Sequence, residues 1–230
     1  MSAQRIRLRF RKGTRVRYLS HLDVLRYWER CLRRAELPLS YSQGFTPHPK
    51  LQFAGPLPLG FAAESEIVDI TLDERVTLET FVERLAAQTT DELSVVTVEE
   101  VAVSGPAPQS VAAWADYVVL VEGVDIAEAE SAVRAFSEAS EWPYLDDRRD
   151  RPRTIDLVAL TAGLSCREAE GGVELLMRLS AHQDATARPE MLVASLLPGR
   201  EAGLITRLSI ELDERSAAHD AWRRVGRFDD

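Results

Sequence analysis

Charged and apolar residues alternate strictly over the first positions of the chain. The apolar set is Ile6, Leu8 and Phe10, and the charged set is Arg5, Arg7, Arg9 and Arg11. Successive side chains of a β-strand point to opposite faces, so this alternation predicts a half-buried strand over residues 4–11. Gly13 turns the chain, and a second alternation over residues 15–18 predicts a short return strand.

A helix is predicted to begin after Ser20. Ser20 is a good N-cap residue, and Asp23, three positions later, supplies the acid of a capping-box variant. The helix extends to about Glu36 and is ended by Pro38. One side of this helix is apolar and the opposite side is basic. The apolar positions are Leu25, Trp28, Cys31, Leu32 and Ala35, and the basic positions are Arg26, Arg30, Arg33 and Arg34.

The rest of the first half follows an unusual loop, residues 39–50, which is rich in turn residues and aromatics. Three further strands are predicted at residues 51–54, 66–73 and 93–98, with a helix over 77–88. The resulting order is β-α-β-β-α-β, which is the order of the ferredoxin-like arrangement.

The second half repeats this order. Strands are predicted at residues 117–122, 143–146, 154–160, 173–180 and 204–212, and helices at 125–140 and 189–197. We therefore predict an α+β protein of two tandem ferredoxin-like lobes. The predicted lobes span residues 1–104 and 114–213, with a linker at 105–113 and a polar tail at 214–230.

The composition excludes several classes of protein. No apolar run approaches the roughly 20 residues that a bilayer span requires, and no apolar signal segment follows the basic N-terminus. We therefore expect a cytoplasmic protein. The two cysteines, Cys31 and Cys166, are too few and too far apart for a zinc site or an iron–sulfur cluster. No metal and no cofactor are expected.

The net charge of −9 hides a strong asymmetry between the two ends of the chain. Residues 1–53 contain twelve Lys or Arg and three Asp or Glu, a net charge of +9, whereas residues 54–230 carry −18. Only two of the 28 basic residues are lysines. The planar guanidinium group of arginine suits phosphate and carboxylate, so this bias favours recognition of an anionic partner.

The arginines of the first strand are expected on an open sheet face, because a ferredoxin-like sheet has its helices on one face only. RNA-recognition modules with such sheets stack bases on aromatic side chains and hold phosphates with basic ones. Aromatic residues beside the strand suit a single-stranded nucleic acid. The predicted RNA- or phosphate-binding residues are Arg5, Arg7, Arg9, Arg15, Arg17, Tyr18, Arg26, Arg30, Arg34, Tyr41, Ser42, Gln43, Phe45, His48 and Lys50.

The alternative is that these arginines form ordinary ion pairs. The first strand is expected beside the third, whose off-core side carries Asp69 and Asp73. Cross-strand Arg–Asp pairs would neutralise two or more of the strand arginines. The arginines of the helix would then be a solvated surface.

His21 is the one candidate for catalysis. It lies in the first turn of the predicted helix, where the helix dipole opposes protonation of the ring. A metal-free ribonuclease can use such a histidine with a tyrosine or a lysine as general acid and base. The alternative is a histidine that forms structural hydrogen bonds beside the N-cap.

Two sequence blocks resemble a bacterial family. The first contains Arg17-Tyr-Leu-Ser-His-Leu-Asp23, and the second contains Tyr41-Ser-Gln-Gly-Phe45 followed by Pro47 and Pro49. Over residues 4–212 the chain is similar to radical SAM-linked, or radical SAM-associated, proteins. These form a domain of unknown function that occurs beside a radical SAM enzyme or fused to its C-terminus. Where that family usually has arginines, this chain has His48 and Lys50.

The resemblance implies a partner rather than a reaction. A radical SAM enzyme holds its cluster on three close cysteines, which this chain lacks, so a separate radical SAM enzyme is the expected partner. The resemblance also favours an RNA substrate. We predict a non-catalytic accessory protein of a radical SAM enzyme that binds RNA through its arginine-rich N-terminal face. The alternatives are a protein–protein interaction subunit of that enzyme and a metal-free ribonuclease that uses His21.

Overall fold

The structure of the protein is a computed structural model that describes residues 3–147, 152–182 and 185–213. The chain divides into two compact units, Met1–Ala112 and Ala113–Asp230. The described residues form a mixed α+β protein with four α-helices and strands that pair mostly in antiparallel fashion. No helix among them is long and apolar enough to cross a membrane. The predicted polar tail, residues 214–230, lies outside the described residues.

The first unit is a sheet of four strands with two helices. In chain order its elements are β1 (Gln4–Lys12), α1 (His21–Arg34), β2 (Leu51–Phe53), β3 (Ala62–Leu72), α2 (Leu78–Ala86) and β4 (Leu93–Val101). β1 lies between β3 and β4 and pairs antiparallel with both, and β2 pairs antiparallel with β3. The predicted strand over residues 4–11 and the predicted helix after Ser20 are confirmed.

The core of this unit follows from the alternation along β1. Ile6, Leu8 and Phe10 are buried against the apolar sides of both helices, where Trp28 and Phe81 are also buried. Both helices therefore lie on the same face of the sheet. Trp28 packs edge-on against Phe10, with ring centroids 5.0 Å apart. Such aromatic pairs contribute beyond the apolar area that they bury.

The capping box predicted at the start of α1 is present. The Ser20 hydroxyl accepts a hydrogen bond from the backbone N–H of Asp23 at 3.2 Å, and the Asp23 carboxylate accepts one from the backbone N–H of Ser20 at 3.1 Å. Two N–H groups at the helix start that lack partners within the helix are thereby satisfied. Hydrogen bonds from the Ser20 side chain and then its backbone hold the pKa of Asp23 below its usual value.

The second unit contains seven strands and two helices in the described residues. They are β5 (Ala112–Glu122), α3 (Ile126–Glu138), β6 (Pro143–Asp146), β7 (Arg153–Asp156), β8 (Thr161–Ala169), β9 (Gly172–His182), β10 (Ala185–Thr186), α4 (Pro189–Leu196) and β11 (Ile205–Leu212). β9 pairs with β5, β8 and β10, and β11 is the other neighbour of β5. β6 and β7 form a separate hairpin.

Two predictions of secondary structure are wrong. Residues 14–16 form a 3-10 helix rather than part of a return strand. The predicted strand at 154–160 is only the short β7, and the longer strand β8, which follows it, is missing from the prediction. No residue of β8 is fully buried. A strand with no buried face need not show the apolar alternation by which strands are detected.

Candidate nucleic-acid interface

Two of the predicted interface arginines, Arg5 and Arg7, are buried. Their side chains are 4% and 7% exposed, and both contact the carboxylate of Asp69. Nε and Nη2 of Arg7 lie 2.8 and 3.0 Å from its two oxygens, and Nη2 of Arg5 lies 2.6 Å from one of them. The prediction that Arg5 and Arg7 project from an open sheet face is therefore wrong. The cross-strand alternative is confirmed for Asp69.

The strand register explains this pairing. Arg7 stands directly opposite Asp69 in the β1–β3 ladder, and Arg5 stands opposite Thr71, one pair further along the same face. The guanidinium group of Arg5 also donates hydrogen bonds to the carbonyl oxygens of Gly105 and Pro106, both at 2.7 Å. Asp73, the other acid of the alternative, instead accepts a hydrogen bond from the Ser40 hydroxyl.

The two remaining arginines of β1 are only partly available. Arg9 is half-buried and lies 3.5 Å from the Ser65 hydroxyl, and Arg11 forms a pair with Glu64 at 3.1 Å. The face of β1 that the alternation assigns to arginine thus offers little free positive charge.

The arginines of α1, in contrast, are on the surface. Arg26 and Arg33 have exposed side chains, and their ion pairs with the carboxylates of Asp23 and Glu29 are long, at 3.9 and 3.7 Å. Long pairs with an exposed guanidinium group contribute little and are screened by salt, so these guanidinium groups remain able to bind other anions. We define the arginine surface as the exposed basic side chains of α1 opposite its core side, namely Arg26, Arg30, Arg33 and Arg34.

Arg30 lies at the centre of the arginine surface. Its side chain forms no hydrogen bond or ion pair within the part of the chain that the structure describes. Arg34 donates a hydrogen bond to the carbonyl oxygen of Gln88 at 3.2 Å and is also exposed. The predicted residues Arg26, Arg30 and Arg34 thus lie where a large anion can reach them.

The 3-10 turn before α1 carries a second group of predicted residues. Arg15 is exposed and lies 3.8 Å from Glu92. The guanidinium of Arg17 lies over the ring of Tyr18, 4.6 Å from its centroid, which is a cation–π arrangement. The backbone carbonyl of Arg17 accepts a hydrogen bond from Gly60, which attaches this turn to the segment before β3.

The loop 39–50 carries the third group of predicted residues. Tyr41, Gln43, Phe45, His48 and Lys50 are exposed, and Ser42 is half-buried. The base of the loop is attached to the far end of β3, where the backbone N–H of Ser40 donates to the carbonyl of Thr71 at 2.9 Å. The 3-10 turn is attached just before the near end of the same strand, at Gly60. At roughly 3.3 Å per residue, these attachments are about 30 Å apart. The predicted residues of the 3-10 turn and those of the loop 39–50 therefore do not form one mixed surface.

Charged residues that the sequence analysis did not single out line a small pocket beneath the first turn of α1. Lys12 and Glu66 are 1% and 3% exposed, and His21 lies with them in the pocket wall. The ammonium group of Lys12 donates hydrogen bonds to the carbonyl oxygens of Arg17 and Leu19, each at 2.9 Å. The other residues of the wall are Phe10, Val24, Phe53, Gly55 and Leu57.

The alternation of inward- and outward-facing positions along the two strands could have predicted this pocket. Lys12 continues the inward series Ile6, Leu8, Phe10, and Glu66 precedes the inward series that begins at Val68. Charged residues at inward positions are rare unless they are paired, and they often occur at functional sites. A strand predicted to end at Arg11 stops one residue too early, and a strand predicted to begin at Glu66 treats that residue as a strand terminus.

The fold and the surface together define a mixed α+β protein with a basic surface on one helix. Within that class, the chain belongs to the family described as "Uncharacterized protein conserved in bacteria (DUF2344)", whose model matches residues 5–189. No curated protein matches the chain significantly.

The chain is similar to several solved structures. A Cbf5-Nop10-Gar1 complex matches with a TM-score of 0.48, 14% identity, 90% of this chain and 48% of that chain. An H/ACA RNP bound to a substrate RNA containing 2'-deoxyuridine and an archaeal box H/ACA sRNP Nop10-Cbf5 complex match with TM-scores of 0.45 and 0.44. Each of these two is 14% identical and matches 89% of this chain and 46% of that chain. The chain spans about half the length of the chains that it matches.

We predict that Asp69→Asn strongly destabilises the protein. The substitution removes the carboxylate charge that Arg5 and Arg7 share, and breaking a buried ion pair by removing one partner typically costs about 3–5 kcal/mol. Urea denaturation followed by circular dichroism measures the change in the free energy of unfolding. Glu64→Gln is the matched control, because it removes the exposed partner of Arg11 and is expected to change stability by less than about 1 kcal/mol. Equal stability of the two variants would contradict the buried ion pairs.

The two lysines of the chain provide a second matched pair. Lys12→Met removes the donor to the carbonyl oxygens of Arg17 and Leu19, and we expect a decrease of about 1–3 kcal/mol in the free energy of unfolding. Lys50→Met changes an exposed residue and should leave stability almost unchanged. Thermal unfolding of the two variants checks this, and a Lys12→Met protein as stable as the wild type would show that Lys12 has no structural role.

Proposed function

We propose that this chain is a non-catalytic accessory protein that binds RNA. The observation that carries the proposal is the arginine surface of α1, where Arg30 has no ion-pair partner among the described residues and Arg26 and Arg33 have only weak ones. The protein as a whole has a net charge of −9, so positive charge gathered on one helix is not a general property of its surface.

Phosphate is the ligand chemistry that fits this surface best. A guanidinium group binds phosphate oxygens in a bidentate manner, and four guanidinium groups along one helix face match the repeated charge of a nucleic-acid backbone. Arg15 and Arg17 extend the positive charge at the N-terminal end of the helix. Arg5 and Arg7 are not part of the proposed surface, because both are buried and contact Asp69.

We further propose that the partner is a separate radical SAM enzyme. Support for this comes only from the resemblance of the Ser20-His-Leu-Asp23 and Tyr41-Ser-Gln-Gly-Phe45 blocks to radical SAM-associated proteins. In this arrangement the partner supplies the chemistry and the present chain holds the RNA. If the arginine surface instead meets an acidic surface of that enzyme, the chain is an interaction subunit.

Each unit, in our proposal, is a ferredoxin-like lobe. The first unit has the element order β-α-β-β-α-β and the strand order β4-β1-β3-β2. The second unit gives the equivalent strand order, β11-β5-β9-β8, once the β6–β7 hairpin and the short β10 are set aside. Equivalent strand orders support a common arrangement for the two units.

A ribonuclease centred on His21 is the second candidate, and the pocket is the observation that favours it. His21 shares the pocket with Lys12 and Glu66, and all three groups can hold or transfer protons. The ammonium group of Lys12 is almost completely buried and donates to two carbonyl oxygens, so it is poorly placed to reach a substrate. The accessory function is therefore the better supported of the two.

Removal of the arginine surface is predicted to weaken RNA binding and its salt dependence. The variant Arg26→Gln/Arg30→Gln/Arg33→Gln should bind a single-stranded oligoribonucleotide at least about tenfold more weakly at low salt. Its slope of log K against log salt should fall by about 0.7 for each phosphate that the variant no longer neutralises. Fluorescence anisotropy across a salt series measures both quantities.

The control variant removes the same charge from exposed arginines of the second unit, as Arg134→Gln/Arg167→Gln/Arg200→Gln, and should bind as the wild type does. Failure of the wild type to bind RNA even at low salt would end the proposal. If the wild type binds no RNA, and of the three proteins only Arg26→Gln/Arg30→Gln/Arg33→Gln fails to co-purify with a radical SAM enzyme, the arginine surface is a protein interface.

Incubation of RNA with the wild type and His21→Ala separates the accessory function from the ribonuclease. We expect no cleavage by either protein in the presence of a metal chelator, because Lys12 and Glu66, the other ionisable groups of the pocket, are almost completely buried. Cleavage by the wild type that His21→Ala abolishes, without weaker RNA binding, would instead establish the ribonuclease.

A further inference from the structure

The loop 39–50 is held as a stiff hairpin. Ser42 donates its backbone N–H to the carbonyl of His48 at 2.9 Å, and the backbone N–H of His48 donates to the Ser42 hydroxyl at 3.1 Å. Nearer the base, the backbone N–H of Lys50 donates to the carbonyl of Ser40 at 2.8 Å. Pro47 and Pro49 fix two backbone angles of the returning arm. A loop held in this way presents its tip in a defined position.

The residue at the tip is a phenylalanine with no packing partner. The relative exposure of Phe45 is 111%, and its ring forms no aromatic contact with any residue that the structure describes. The other phenylalanines of the described residues are buried or half-buried. Exposure of a large apolar ring on a stiff loop gives no benefit to the folded chain and is typical of a contact residue for a partner.

The surroundings of this ring favour an anionic partner. The chain has no Asp or Glu from residue 37 to residue 63, although 37 of its 230 residues are acidic. Gln43 and His48 lie within three residues of Phe45 in the chain, Lys50 lies nearer the base of the hairpin, and all three are exposed. Asp73, an acid near the base of the loop, already accepts a hydrogen bond from the Ser40 hydroxyl. A phosphate beside Phe45 would therefore meet hydrogen-bond donors and a cation.

We propose that Phe45 is a stacking platform for an unpaired nucleotide of RNA, an inference that rests on the proposed RNA-binding function. Every base has a flat π-face that stacks on an aromatic ring, and the flanking phosphates would lie near Lys50 and His48. The other predicted aromatics are less suitable. Arg17 already covers a face of Tyr18, and Tyr41 lies in the arm of the hairpin, paired with Pro49.

A stacking platform at Phe45 would give the protein a preference for single-stranded over double-stranded RNA. Bases of a duplex are stacked on each other and do not offer a free face, whereas unpaired bases can be splayed out onto an aromatic side chain. Stacking involves no release of counterions, so it contributes equally at low and high salt. The Phe45 contact is thus distinguishable from the contacts of the arginine surface by its salt dependence alone.

The test compares wild type, Phe45→Ala and Phe45→Trp with a fluorescein-labelled single-stranded oligoribonucleotide and with the same strand annealed to its complement. Phe45→Ala should bind the single strand about ten- to a hundredfold more weakly, with an unchanged salt slope. Phe45→Trp should keep the wild-type affinity, and the duplex should not distinguish the three proteins. Leu59→Ala, which removes another exposed apolar side chain, is the control and should bind as the wild type does.

The outcomes separate this inference from the proposed function. Suppose that the wild type binds RNA, that Arg26→Gln/Arg30→Gln/Arg33→Gln binds it more weakly, and that Phe45→Ala binds it as tightly as the wild type. Phe45 is then not a stacking platform, and the RNA-binding function stands. If the wild type binds no RNA, both fail. Release of a radical SAM partner by Phe45→Ala with unchanged RNA binding would also overturn the inference, because the ring would then occupy a pocket of that protein.

Discussion

The buried carboxylate of Asp69 determines what the first strand can contribute to function. It accepts hydrogen bonds or ion pairs from Arg5 and Arg7 while remaining about 1% exposed, so three charges are removed from water together. A single buried charge would be very costly, and the arrangement is tolerable because each group has a partner. Arg5 also binds the carbonyls of Gly105 and Pro106, so the same cluster fixes the segment after β4 against β1.

Much of the first unit could be predicted because its signals are local. The alternation of β1 and the capping box of Ser20 and Asp23 involve residues within a few positions of each other, and both are present in the structure. Burial of Arg5 could not be predicted in the same way, since it depends on hydrogen-bond partners about a hundred residues away along the chain. A period-2 pattern identifies two faces of a strand, but both faces of β1 are buried at Arg5 and Arg7.

Lys12 and Glu66 show the opposite failure, in which charge occupies the side of the sheet that should be apolar. A predicted strand is ended where the apolar alternation stops, so an inward-pointing lysine ends the predicted β1 one residue early. The structure shows that β1 continues to Lys12 and that the ammonium group binds two carbonyls of the turn before α1. Such departures from the pattern often mark positions with a special role. At Lys12 and Glu66, the alternation of inward and outward positions predicts the direction of the side chain better than its polarity does.

The proposed interface has two parts, the arginine surface and Phe45, which bind RNA through different interactions. The arginine surface acts through charge, so salt weakens it and any phosphate backbone satisfies it. Phe45 acts through contact with a flat ring, so salt has little effect and pairing of the bases removes it. Because the loop is attached to one end of β3 and the turn that carries Arg17 to the other, a ligand that reached both would have to span about 30 Å. A stretch of RNA with an unpaired segment next to structured backbone satisfies both parts, whereas a mononucleotide has a single base and cannot cover the whole interface.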